Sequence, residues 1–194
     1  YIFYNMFIQT EITPNPLTLK FLPGRDVLKK GTLEYRDKNE AKSSPLASRL
    51  FDIQHVTNVF LGSDFISITK TEKVDWDILK PEILSSIMDF FSSGIEIEQL
   101  DSDANIDQPE LTNYKPKEKK IVLEVLKLLD DKIRPAVAQD GGDIKFVKFN
   151  SGVVFLELRG ACAGCPSSTM TLKSGIENMF KYYIPEIKAV EAVN

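Results

Sequence analysis

The chemistry of this chain is concentrated in one stretch, Leu158-Arg159-Gly160-Ala161-Cys162-Ala163-Gly164-Cys165-Pro166-Ser167-Ser168, which contains both of its cysteines. Alternating apolar residues before this stretch predict a strand, and helical spacing after it predicts an amphipathic helix. The glycines let the backbone turn tightly, so both sulfurs can face one point. Pro166 suits the first helical position, which places Cys165 at a helix N-terminus, where free N–H groups favour a thiolate.

The elements around the cysteine stretch predict a small α+β domain. A helix is expected to end at Arg134, because Pro135 disfavours a helical residue before it. Gly141 and Gly142 then break the chain. The flanking elements are a hairpin of residues 144–149 and 153–159 joined at 150–152, a helix closed by Pro185, and a last strand at 187–193.

The first half of the chain predicts a second α+β domain. Turn residues separate short β-type runs, and two segments show helical signals. The predicted strands are residues 7–12, 17–21, 56–61 and 65–69, and the predicted helices are residues 44–53 and 77–92.

A polar, acidic stretch with two prolines and no apolar period separates the halves at residues 99–117. This composition is typical of a flexible interdomain linker. The fold class is therefore predicted to be α+β, with two small domains, residues 1–98 and 118–194, joined by a flexible acidic linker. Residues 1–5 differ from the rest of the chain and predict no cellular address.

The overall composition narrows the class of protein. A net charge of −4 gives no electrostatic reason to expect nucleic acid as a partner. No apolar run is long enough to predict a membrane-spanning helix. Two closely spaced cysteines in 194 residues are not a disulfide framework; they indicate redox or metal chemistry in a reducing compartment.

Four interpretations of the cysteine pair remain open from the residues alone. In the first, the cysteines are small buried hydrophobes. In the second, they form a thioredoxin-like redox pair. In the other two, they are half of a four-cysteine zinc site or half of an iron–sulfur site. One chain supplies too few soft ligands for a closed tetrahedral site, so either metal site would require two chains. The only histidine, His55, is expected to have a surface or structural role.

Three further features bear on the site. Arg159 either leans toward an anionic cluster or is plainly solvated, and its place on the outward face of its predicted strand favours solvation. Gly141 and Gly142 either bring backbone close to the cysteine loop or form an ordinary helix cap and turn. Neither a serine–histidine–acid arrangement nor a phosphate-binding loop is apparent in the sequence, so a catalytic site is not predicted.

The stretches Ile133–Ile144 and Leu158–Ser168, in this order, resemble the C-terminal domain of NifU, the Nfu-type iron–sulfur scaffold. Residues 7–16 with residues 19–24 resemble the N-terminal domain of mitochondrial and related bacterial members of this family. The two resemblances together cover nearly the whole chain.

The resemblance implies a scaffold or carrier without enzymatic turnover. A 4Fe–4S cluster would be held by Cys162 and Cys165 of two protomers, in a homodimer formed through the cluster, and passed to apo-proteins. Upstream cluster-assembly proteins are implied as further partners, and the mitochondrial matrix or the bacterial cytoplasm as the location. A thioredoxin-like thiol–disulfide oxidoreductase is the alternative function.

Overall fold

A computed structural model describes residues 7–95, 97, 109–164 and 166–193. The chain divides into two compact units, residues 1–105 and 106–194, and each unit has its own hydrophobic core. Mixed helix and strand content in both units confirms the predicted α+β class. Within the part of the chain that the structure describes, every helix is too short or too polar to cross a bilayer.

The described residues of the first unit form a five-stranded antiparallel sheet with two α-helices packed on one face. The elements are β1 (Gln9–Ile12), β2 (Thr18–Leu22), β3 (Leu33–Tyr35), α1 (Pro45–Asp52), β4 (Val56–Leu61), β5 (Ile66–Lys70) and α2 (Trp76–Ser92). The strand order is β1-β2-β5-β4-β3.

Local sequence signals explain most of these elements. Ser44 caps α1, because its Oγ accepts a hydrogen bond from the Ala47 N–H, and Pro45 occupies the first helical position. Ile83 and Ile87 of α2 are fully buried against the sheet, as their spacing predicts. The short edge strand β3, which pairs only with β4, carries no comparable signal and was not predicted.

The described residues of the second unit form a three-stranded sheet with helices packed on one face. The elements are α3 (Pro116–Leu128), α4 (Arg134–Gln139), β6 (Gly142–Asn150), β7 (Val153–Gly160), α5 (Pro166–Tyr183) and β8 (Ala189–Val193). The strand order is β6-β7-β8. Strands β6 and β7 form the predicted hairpin, and β8 lies parallel to β7 after a helical crossover.

The helix before the hairpin does not end at Arg134, so that prediction is wrong. A π-helical turn, Leu129–Ile133, connects α3 to α4, and the helix continues through Pro135 to Gln139. The π turn interrupts the regular hydrogen-bond ladder, so Pro135 falls in the first turn of a new helical segment. There its missing N–H costs little.

The second unit also begins earlier than the predicted linker boundary at residue 117. A 3₁₀ turn, Leu111–Asn113, precedes α3, and the side chains of Leu111 and Tyr114 pack against the second core. The Tyr114 hydroxyl accepts a hydrogen bond from the Phe149 N–H at 3.1 Å. Residues 98–108 of the chain, which include most of the predicted linker, lie outside the described residues.

Candidate metal centre

The cysteine loop is a tight turn between β7 and α5. The Cys162 N–H donates to the Arg159 carbonyl at 3.3 Å, and the Ala163 N–H donates to the Gly160 carbonyl at 3.1 Å. Gly160 and Gly164 have φ angles of 61° and 80°, which glycine adopts without strain. The glycines at the two ends of the loop thus allow the turn that the sequence predicts.

Gly141 and Gly142 hold this loop against the start of β6. The Gly141 carbonyl accepts a hydrogen bond from the Ala161 N–H at 3.1 Å, and the Gly141 N–H caps α4 by donating to Ala138. A side chain at Gly142 would place Cβ only 2.6 Å from the Cys162 Sγ. Both interpretations from the sequence therefore apply: Gly141 belongs to a helix cap, and Gly142 permits the close approach of the sulfur.

Cys162 is buried in the second core, with 7% of its surface exposed. Burial, followed by the nearby carboxylates of Asp140 and Asp143, raises the pKa of the Cys162 thiol from 9.0 to about 12. The thiolate predicted from the helix N-terminus concerns Cys165, which lies outside the described residues. At Cys162 the protonated thiol is favoured instead, because its sulfur packs among apolar side chains. Ligation of a metal would have to displace the proton.

The Cys162 main chain is also tied to the helix that follows. The Thr169 hydroxyl, on α5, donates to the Cys162 carbonyl at 3.2 Å. Helix α5 begins at Pro166, as predicted. The contribution of Thr169 could not be predicted, because nothing in the sequence marks a hydroxyl that reaches back seven positions to the loop.

Cys165, the second predicted ligand, lies outside the described residues. The ligand role of Cys162 and Cys165 therefore remains a prediction. Among residues 7–95, 97, 109–164 and 166–193, no three histidine, cysteine or acidic side chains are grouped so that they could hold a metal ion.

Arg159 is not simply solvated, so that expectation is wrong. Only 15% of its side chain is exposed, and its guanidinium pairs with Glu157 at 3.2 Å. Arg159 and Glu157 lie on the sheet face opposite the core, because they alternate with the buried Leu156 and Leu158. The ion pair with Glu157, rather than solvent, therefore orients the Arg159 side chain.

His55 has a structural environment in the first unit. Its φ angle is 76°, and its Nδ1 lies 3.2 Å from the Thr71 hydroxyl. Its carbonyl accepts a hydrogen bond from the Thr71 N–H at 2.9 Å. The side chain and main chain of His55 thus tie the turn before β4 to the end of β5.

Comparison with protein families accounts for both units. Residues 8–94 match the family described as scaffold protein Nfu/NifU N terminal, and residues 125–191 match the NifU-like domain. The chain belongs to the Nfu/NifU family.

Nfu/NifU relatives match along almost the whole chain. The mitochondrial "NFU1 iron-sulfur cluster scaffold homolog" of Drosophila sechellia is 48% identical over 97% of this chain. The mitochondrial "NifU-like protein 4" of Arabidopsis thaliana is 48% identical over 96% of it. The chain spans 65% of the length of each of these relatives. Their names support the mitochondrial alternative of the predicted location.

Among solved structures, that of a NifU-like protein from Saccharomyces cerevisiae matches 48% of this chain and 86% of that one. Its sequence identity is 27% and its TM-score is 0.44.

The donor chemistry of the Nfu/NifU site fits an iron–sulfur group. Thiolate is the usual ligand of iron in such clusters, and the loop carries no competing hard ligand between its cysteines. The missing side chain at Gly142 leaves the space that the Cys162 sulfur occupies.

Proposed function

We propose that this protein is a scaffold or carrier for an iron–sulfur cluster. Cys162 and Cys165 of two copies would hold one 4Fe–4S cluster between them and pass it to apo-proteins. One observation supports a site shared between two chains: a single chain has two cysteines, and its described residues contain no group of three potential metal ligands. Four sulfur ligands then require two chains.

The buried position of Cys162 supports a carrier rather than a permanent holder. The Cys162 thiol is packed in the core, and burial raises its pKa to about 12. Because metal ligation requires a thiolate, binding a cluster must release the Cys162 proton, so part of the binding free energy is spent on that step. The thiol regains its proton when an acceptor takes the cluster, which favours release.

The mechanism of delivery would be ligand exchange. Thiolates of the acceptor replace Cys162 and Cys165 one at a time, and no substrate is chemically transformed by the protein itself. We therefore propose no enzymatic turnover. Upstream cluster-assembly proteins and apo-proteins in the mitochondrial matrix are the partners that this function requires.

The structure favours this function over a thiol–disulfide oxidoreductase. A reactive redox cysteine needs a lowered pKa, whereas that of Cys162 is raised to about 12. The motif also follows the antiparallel β6–β7 hairpin rather than a βαβ unit, which is the setting of thioredoxin-like motifs.

Anaerobic reconstitution tests the proposal. The full chain, supplied with ferrous and ferric iron and sulfide, should give a brown dimer with about four irons per pair of chains. Replacing Cys162 or Cys165 by serine should abolish iron binding, whereas Ser174→Ala on the exposed face of α5 should leave it unchanged. A colourless monomer that reduces disulfides without metal would support the oxidoreductase instead, and zinc in freshly purified protein would support the zinc site.

The first unit carries no predicted metal ligands, and we propose that it docks or positions partner proteins. Deletion of residues 1–98 should then slow delivery to at least one acceptor while the iron content of the remaining chain is kept. Unchanged delivery to every acceptor would remove this role.

A further inference from the structure

Met170 is an exposed apolar side chain next to the cysteine loop. It lies on α5 near the start of the helix, and 70% of its surface is exposed. Its neighbour Thr169 contacts the Cys162 carbonyl, so the helix position of Met170 is held relative to the loop. The apolar residues Ile176 and Phe180, farther along α5, are buried in the core.

Exposure of one apolar residue is common on protein surfaces and alone indicates nothing. The exposure of Met170 is informative because this residue lies near the start of α5, beside the cysteine loop. If two copies hold one cluster through the same loop, the contact is isologous, and the surface bordering the loop in one copy faces the same surface in the other. Methionine is flexible and polarizable, and it packs well on such an adaptable surface.

The charges near Met170 also allow two copies to approach. Lys173, almost one turn farther along α5, is already paired with Glu191 of β8 at 2.9 Å. Two identical patches therefore meet without an unpaired lysine at this position, where like charges would repel across the symmetry axis.

We infer that Met170 forms an apolar contact with a second copy of this chain beside the shared cluster. This inference rests on the proposed function, and it adds a contact that stabilises the loaded dimer without ligating iron. A second copy fits better than an acceptor, because the copy borders the loop whenever a cluster is bound. An acceptor approaches only during delivery.

The test compares Met170→Lys, Met170→Leu and Tyr182→Lys in the full chain, each reconstituted anaerobically with ferrous and ferric iron and sulfide. Tyr182 is the matched control, since it is 79% exposed and lies about 18 Å farther along the same helix. Dimer dissociation is measured by analytical ultracentrifugation, and iron per chain is measured on the same samples.

Met170→Lys should weaken the loaded dimer roughly tenfold or more, the order expected from losing a buried methionine. Met170→Leu and Tyr182→Lys should behave as the unchanged protein. A Met170→Lys dimer as tight as the unchanged one overturns the inference, and so does equal weakening by Tyr182→Lys. Normal dimerisation with slowed delivery would assign Met170 to the acceptor and also overturn it. An unchanged chain that never forms an iron-containing dimer defeats the proposed function itself.

Discussion

Substitution of Gly142 by alanine tests how the cysteine loop is held. The new Cβ would lie 2.6 Å from the Cys162 Sγ and 2.6 Å from the Arg159 carbonyl oxygen, about 0.8 Å closer than ordinary contact. The φ angle of Gly142 is not positive, so the effect is steric and not a matter of backbone strain. One of the two neighbours is backbone in the β6–β7 pairing and cannot turn away.

Overpacking of this kind costs about 1–3 kcal/mol, and the backbone contact places Gly142→Ala in the upper part of that range. Alanine also reduces the conformational entropy of the unfolded chain, which offsets roughly 0.4–1 kcal/mol of this overpacking cost. The expected net loss is about 2 kcal/mol, which lowers the urea midpoint of the second unit by about 1 M or more. Far-UV circular dichroism follows this transition. Fluorescence of Trp76, the only tryptophan and part of the first unit, should keep its midpoint.

Gly175→Ala is the matched control in the same unit. Its Cβ would meet nothing within 4 Å on the exposed side of α5, so alanine should stabilise the helix by about 0.5–1 kcal/mol. In a Cys162→Ala background the cost of Gly142→Ala should shrink, because one of the two close contacts is gone. Equal midpoints for Gly142→Ala and the unchanged protein, or an equal cost in both backgrounds, would refute this account of the loop.

Two pH dependences follow from the shifted groups of the metal-free protein. Burial raises the pKa of Cys162 to about 12, so the second unit should lose stability as pH rises above about 9 toward that value. Urea midpoints at pH 8 and pH 10 measure this loss of stability. The part of the loss that comes from the Cys162 thiol should be absent in Cys162→Ala. The hydrogen bond from Lys181, and then that from the Val190 N–H, lowers the pKa of Glu177. The stabilisation from Glu177 is therefore present above about pH 4.5 and is lost as pH falls through the lowered pKa. Acid titration of the dichroism signal should show a smaller loss of stability in this range for Glu177→Gln than for the unchanged protein. An equal loss of stability would contradict the assignment.

The elements that the sequence predicted well depend on neighbours in the chain. The turn Ser151–Gly152 has φ angles of 52° and 89°, the two positive values that a tight two-residue hairpin requires and that glycine favours. The cap of α1 by Ser44 likewise needs only residues within one helical turn. Such features can be derived from sequence, because the interactions that decide them are local.

The features that the sequence did not predict depend on distant contacts. The helix crosses Pro135 because a π turn aligns Leu129 and Ile133 with the core, and a local rule about proline cannot contain that packing. Tyr114 belongs to the second unit because its hydroxyl reaches a strand edge 35 positions away.

The cysteine site shows the same division. The number of cysteines and their spacing by themselves determined that one chain cannot complete a four-sulfur site, since that is a matter of counting donor atoms. Only the tertiary structure decided that the Cys162 sulfur lies inside the core, in the space left by Gly142, with its proton retained. Burial and pKa depend on what packs around an atom, and those neighbours come from β6 and the loop before it, which the fold brings to the sulfur.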